Sequence, residues 1–104
     1  MAKYLLLYGG GQMPETEAEQ ASVMAAWDAW FKELGAAVTD PGNPFTPAAK
    51  RITGGPTIAD TPATAGGYSV IEADSLDSAA KLASRCPVLQ GGADVTVFET
   101  FAVM

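Results

Sequence analysis

The chain is predicted to fold as an α+β domain: a split βαβ sheet with two helices on one face, its other face free to meet a second sheet. Three observations predict it. The elements alternate as strand, helix, strand, insert, strand, helix, strand, the order of two βαβ units sharing one antiparallel sheet. The first strand, residues 3–8, is apolar on both faces, which marks a central strand covered on both sides. The stretch 66–89, GGYSVIEADSLDSAAKLASRCPVL, reads as turn, strand, capped helix and stop.

In the first strand Leu5 and Leu7 alternate with Tyr4, Leu6 and Tyr8. Gly9, Gly10 and Gly11 break it, and Pro14, Glu15, Thr16, Glu17 and Glu19 announce a helix, with Thr16 and Glu19 spaced as a capping box. That helix is expected to run to about Leu34. Met24, Trp27, Phe31 and Leu34 form its apolar stripe, Val23 and Trp30 widen it, and Gly35 closes it. A short strand over residues 36–39 ends in Asp40-Pro41-Gly42-Asn43-Pro44, where two prolines and a glycine force turns.

Residues 50–53 and 57–59 form the arms of a small hairpin across Gly54-Gly55-Pro56. Residues 68–73 are an aromatic and β-branched strand. Asp74 or Ser75 caps the second helix, Asp77 lies in its first turn, Lys81 and Arg85 in its last, and Pro87 forbids its continuation. The last strand spans residues 93–103, with Phe98 and Phe101 breaking the alternation in the manner of a bulge or a long edge. No third helix exists for the second sheet face, so another copy of the chain is expected to cover it as a homodimer.

With 104 residues the chain is one domain, residues 1–104. Its 12 acidic and 6 basic side chains give a net charge of −6, which opposes binding to nucleic acid and to anionic membrane. The opening residues MAKYLLLYGGG are too short in apolar length for a signal peptide or a span, so a cytoplasmic location is expected. A single cysteine, Cys86, agrees with a reducing compartment and excludes an internal disulfide. The chain has no histidine, which removes the usual general base and the commonest transition-metal ligand. No metal site and no cofactor are expected.

The fragments KYLLLYGG, MPETEAE, AAWDAWFKELGAA, DPGNP, GGYSVIEADSLDSAAKLASRCPVL and GGADVTVFETF together resemble the YCII-related proteins, also called DGPF-domain proteins, of the dimeric α/β barrel group. The resemblance runs nearly end to end. It implies a ferredoxin-like fold pairing face to face as a dimer. Two departures bear on chemistry. Where relatives carry Asp-Gly-Pro-Phe this chain has Gly54-Gly55-Pro56-Thr57, and where some carry a His and Asp pair, only the Asp has a counterpart, Asp40.

Gly9-Gly10-Gly11 lacks the spaced glycines of a dinucleotide site and the Lys of a P-loop, and Glu15, Glu17 and Glu19 crowd it with negative charge. It reads as a turn. Cys86 at a helix end is expected to pack as a thiol, and Trp27 with Trp30 to belong to the core or to a ligand platform. Asp40 inside its turn either bonds to the backbone two residues on or acts in catalysis, while its pairing with Asp60 has no support in spacing. A pocket between first helix and sheet, or where two sheets meet, directs attention to Tyr8, Trp30, Asp40 and Tyr68. Three functions stand open: binding of a small, partly apolar molecule; acid–base catalysis by Asp40 with a Tyr, of the lyase, isomerase or monooxygenase kind; and, from relatives associated with sigma factors, a protein-interaction accessory.

Overall fold

A computed structural model describes residues 2–10 and 16–103. Its elements are β1 (Ala2–Gly10), α1 (Glu17–Leu34), β2 (Val38–Asp40), β3 (Ala48–Thr53), β4 (Thr57–Pro62), β5 (Gly67–Ala73), α2 (Leu76–Ala83) and β6 (Ala93–Glu99). Short 3-10 turns, Gly35–Ala37 and Pro87–Gly91, follow the two helices. The main sheet has the order β2-β5-β1-β6 with every pairing antiparallel, and β3 with β4 forms a separate two-stranded sheet. The architecture is ferredoxin-like α+β with β1 central, as the two-sided apolar pattern of that strand requires.

The local signals that start and end the helices act as their chemistry dictates. Thr16 caps α1, its hydroxyl accepting from the Glu19 amide at 3.1 Å, and Gly35, at φ 57°, donates its amide to the Phe31 carbonyl. Ser75, rather than Asp74, caps α2 by accepting from the Ser78 amide at 3.1 Å. The expected start signals at Pro14 and Glu15, and Gly11 of the glycine turn, lie outside the described residues.

One face of the main sheet carries the core. Tyr4, Leu6 and Tyr8 of β1 and Ser69, Ile71 and Ala73 of β5 are buried beneath Trp30 and Leu34 of α1 and Ala79 and Ala83 of α2. The Trp30 indole donates to the Leu82 carbonyl at 3.2 Å, which ties α1 to α2. Just beyond α2, Arg85 reaches Glu33 of α1 in an ion pair. Among the described residues no helix lies over the opposite sheet face.

Five expectations need correction. Gly9 and Gly10, expected to break the first strand, are its last two residues and pair with Asp94 and Ala93 of β6. Met24 is 71% exposed and Val23 is also exposed, because residues 17–25 are solvent-facing all round and α1 meets the core through its second half. The second strand starts at Val38, since Ala36 and Ala37 are used in the 3-10 turn that Gly35 initiates. Arg85 lies past the end of α2. The last strand stops at Glu99 with an unbroken register from Gly10↔Ala93 to Tyr4↔Glu99, and the bulge occurs instead in β2, between Val38 and Asp40.

The hairpin is real and longer than its polar arms suggested. Ala48 to Thr53 pairs with Thr57 to Pro62, with Ile52 opposite Ile58 and Lys50 opposite Asp60. It stands off the domain: Ile52 and Ile58 are 66% and 65% exposed. The radius of gyration, 15.3 Å, accordingly exceeds the roughly 13 Å of a compact chain of this size.

Candidate functional site

Pleating sends the odd-numbered side chains of β1 to the uncovered face. There Leu5 lies between Val70 and Phe98, and Leu7 between Tyr68 and Thr96, in the ladder register. Leu5, Leu7, Tyr68 and Val70 are half-buried and Phe98 is exposed, so this face presents a contiguous apolar stripe to solvent. At the edge of the stripe β2 delivers Asp40, paired with Val70 just after the β2 bulge.

Asp40 is oriented by its own turn. One carboxylate oxygen accepts the Gly42 amide at 2.8 Å, and the other stands 3.5 Å from the Tyr68 hydroxyl. The Tyr68 ring is in turn stacked on Phe45, centroids 5.9 Å apart and planes 22° from parallel. Gly42 makes this approach possible: at φ 73° it lies so close to β5 that a Cβ would stand 1.7 Å from the Tyr68 carbonyl oxygen. A carboxylate that accepts and a phenol that donates, side by side over an apolar floor, can position a polar group of a flat molecule or pass a proton to and from it.

The four residues singled out from the sequence therefore divide. Asp40 and Tyr68 meet on the open face, whereas Tyr8 and Trp30 lie under the helices. Tyr8 is enclosed, its ring edge-to-face with Trp27 at 5.2 Å, and its hydroxyl donates to Ser69 Oγ at 2.7 Å, which itself donates to the Pro41 carbonyl at 2.7 Å. Burial pushes the Tyr8 phenol far above its ordinary range, so it keeps its proton. This buried relay ends on the loop that carries Asp40, and its role is to hold that loop against β5. Phe45 escaped notice in the sequence; an aromatic directly after the Pro41–Pro44 turn was the available signal.

Cys86 is buried beside Tyr8, and burial pushes its thiol up to about 11. Alkylation by iodoacetamide at pH 8 is expected to be slow in the native protein and fast in denaturant. The unfolded thiol ionises near ~8.5 while the folded one holds its proton, so the unfolded state binds fewer protons above that pH and stability falls as pH rises toward 11. Equal native and denatured alkylation rates would show an exposed thiolate.

Comparison with known proteins adds family and fold. The family model described as the YCII-related domain matches residues 3–100. The chain belongs to the YCII-related family. No curated protein matches this YCII-related chain. Among solved structures it is similar to the 5-chloro-2-hydroxyhydroquinone dehydrochlorinase TftG of Burkholderia phenoliruptrix AC1100, in complex with 2,5-dihydroxybenzoquinone, with 20% sequence identity, TM-score 0.56, and 95% of this chain and 93% of that chain covered. At that identity the likeness establishes the shared ferredoxin-like fold. In this YCII-related protein no helix of the described residues is long and apolar enough to cross a membrane, and no three potential metal-ligating side chains converge among them.

Proposed function

We infer that this YCII-related protein binds a small, partly apolar molecule against the open sheet face, with Asp40 and Tyr68 as its polar anchors, inside a homodimer whose second copy covers that face. The observation that carries the reading is the Asp40–Tyr68–Phe45 arrangement at the edge of an uncovered apolar stripe. A sheet face bearing Leu5, Leu7, Val70 and Phe98 is costly to leave in water, and a face-to-face pair of sheets encloses it while leaving a cleft at its rim. That TftG, on the same fold, is described in complex with a small quinone agrees with a site for a flat molecule. The test is amide chemical-shift mapping during a screen of small aromatic compounds. Shifts centred on Leu5, Leu7, Tyr68 and Val70 are expected; hits whose shifts all lie on the α1 and α2 surface would contradict the site.

A second reading is favoured by the 3.5 Å approach of the Tyr68 hydroxyl to Asp40. In it the pair works as acid and base on the bound molecule, as the dehydrochlorinase name of TftG invites. Asp40→Asn is then expected to lower kcat by about 10²–10⁴ on whatever substrate a screen finds, the range for loss of a positioned general base. Turnover unaffected by that change would leave binding without this chemistry.

A further inference from the structure

A second concave region lies where the β3–β4 hairpin joins the domain. A cleft of about 500 Å³ opens there, lined in part by Phe45, Thr46, Ala49, Arg51, Thr61 and Thr64. Small-molecule sites fall at roughly 300–1,000 Å³. The lining is unusual for so acidic a chain. With 12 acidic side chains against 6 basic, no Asp or Glu among the described residues borders this cleft, and among them Arg51 is its one charged lining residue.

The strand register explains why Arg51 is left without a counter-charge. The two-residue period places Lys50 on one hairpin face, opposite Asp60, and Lys50 takes that carboxylate at 2.5 Å. Arg51 falls on the other face, directly opposite Ala59, with Thr57 and Thr61 as diagonal neighbours. Among the described residues Arg85 is paired with Glu33, while Arg51 has no ion pair.

We propose that this cleft takes a small aromatic carboxylate, its carboxylate on Arg51 and its ring beside Phe45. The guanidinium fork matches two carboxylate oxygens at once, which a point charge such as an ammonium does not. Phe45 contributes an aromatic wall already stacked on Tyr68, and the Thr46, Thr61 and Thr64 hydroxyls offer donors and acceptors for ring substituents. The inference rests on the reading that a small molecule is held beside Tyr68, and it adds the chemical class: Phe45 belongs both to the Tyr68 stack and to the cleft.

Calorimetric titration of the full chain with benzoate and with its neutral isostere benzamide tests this, using wild type, Arg51→Gln and, as a charge control, Lys81→Gln on the exposed side of α2. Benzoate is expected to bind wild type and Lys81→Gln at least about tenfold more tightly than benzamide, and the preference to vanish in Arg51→Gln, because charge-assisted bidentate contacts are roughly twice as strong as neutral ones. Equal affinities for the two probes in wild type, an undiminished preference in Arg51→Gln, or no benzoate binding at millimolar concentration would each overturn it. Amide-shift mapping separates the two readings. Benzoate shifts confined to Leu5, Leu7 and Val70 and kept in Arg51→Gln sink this inference and leave the sheet-face site; aromatic probes that shift neither region sink both.

Discussion

Leu5→Glu is expected to yield a folded monomer, while the wild-type chain is expected to sediment as a dimer at micromolar concentration. Leu5 is central on the open face, between Val70 and Phe98, and its side chain takes no part in the core beneath the helices. In the monomer the new carboxylate simply points into water. In a face-to-face dimer it is enclosed twice, once from each copy, and each uncompensated buried charge costs several kcal/mol, so the dimer dissociation constant is expected to rise at least ~100-fold. The variant also loses the stabilisation that association lends the folded state, and its Tm becomes independent of protein concentration. Sedimentation equilibrium of both proteins checks this; identical dimers would show that the open face is not the interface.

The second large effect is at Gly42. Its φ of 73° belongs to the left-handed region, and its Cα is so near β5 that a methyl group would overlap the Tyr68 carbonyl, which is backbone and cannot swing aside. Gly42→Ala must therefore push the Asp40 loop off the sheet. The expected cost is about 3 kcal/mol, combining positive-φ strain with overpacking, or a fall in Tm of roughly 15 °C for a chain of this length. The loop's movement would also break the Gly42 amide bond to Asp40 and draw the carboxylate away from Tyr68. Ser69→Ala makes a gentler comparison: it cuts the relay from Tyr8 to the Pro41 carbonyl without steric conflict. A thermal melt of Gly42→Ala within a degree or two of wild type would mean the loop is not seated on β5 as described.

Much of the fold was legible because the signals were local. The period-two pattern of β1 was enough to make it central, and Thr16, Ser75 and Gly35 mark helix ends through bonds made within one turn of themselves. Met24 misled for the opposite reason. A helical period names a face of the helix, yet says nothing about where along its length the helix runs beyond the sheet it covers, and α1 does so before Trp27. The hairpin arms were longer than expected because Ala48, Ala49, Asp60 and Pro62 carry little strand preference of their own and are held by pairing across the turn.

The candidate site was half legible. Asp40 was recognisable as a turn carboxylate, and its bond to the Gly42 amide is the one its position favours. Whether Tyr8 or Tyr68 shares its face depends on the register of β1 against β5, where Tyr8 stands opposite Gly67 and Tyr68 opposite Leu7, a one-residue difference that sends the two rings to opposite sides of the sheet. Trp30 follows Tyr8 to the covered side. Phe45 becomes visible only when the Pro44 turn sets its ring on Tyr68, and Arg51 only when the hairpin register puts it on the face away from Asp60.

Native mass spectrometry of untagged protein, purified gently from its own source, tests most directly whether a dimer holds a small molecule at the open sheet face. The expected spectrum shows twice the chain mass plus a small-molecule mass that is lost when Tyr68→Ala is introduced. A bare monomer from the same preparation would contradict it.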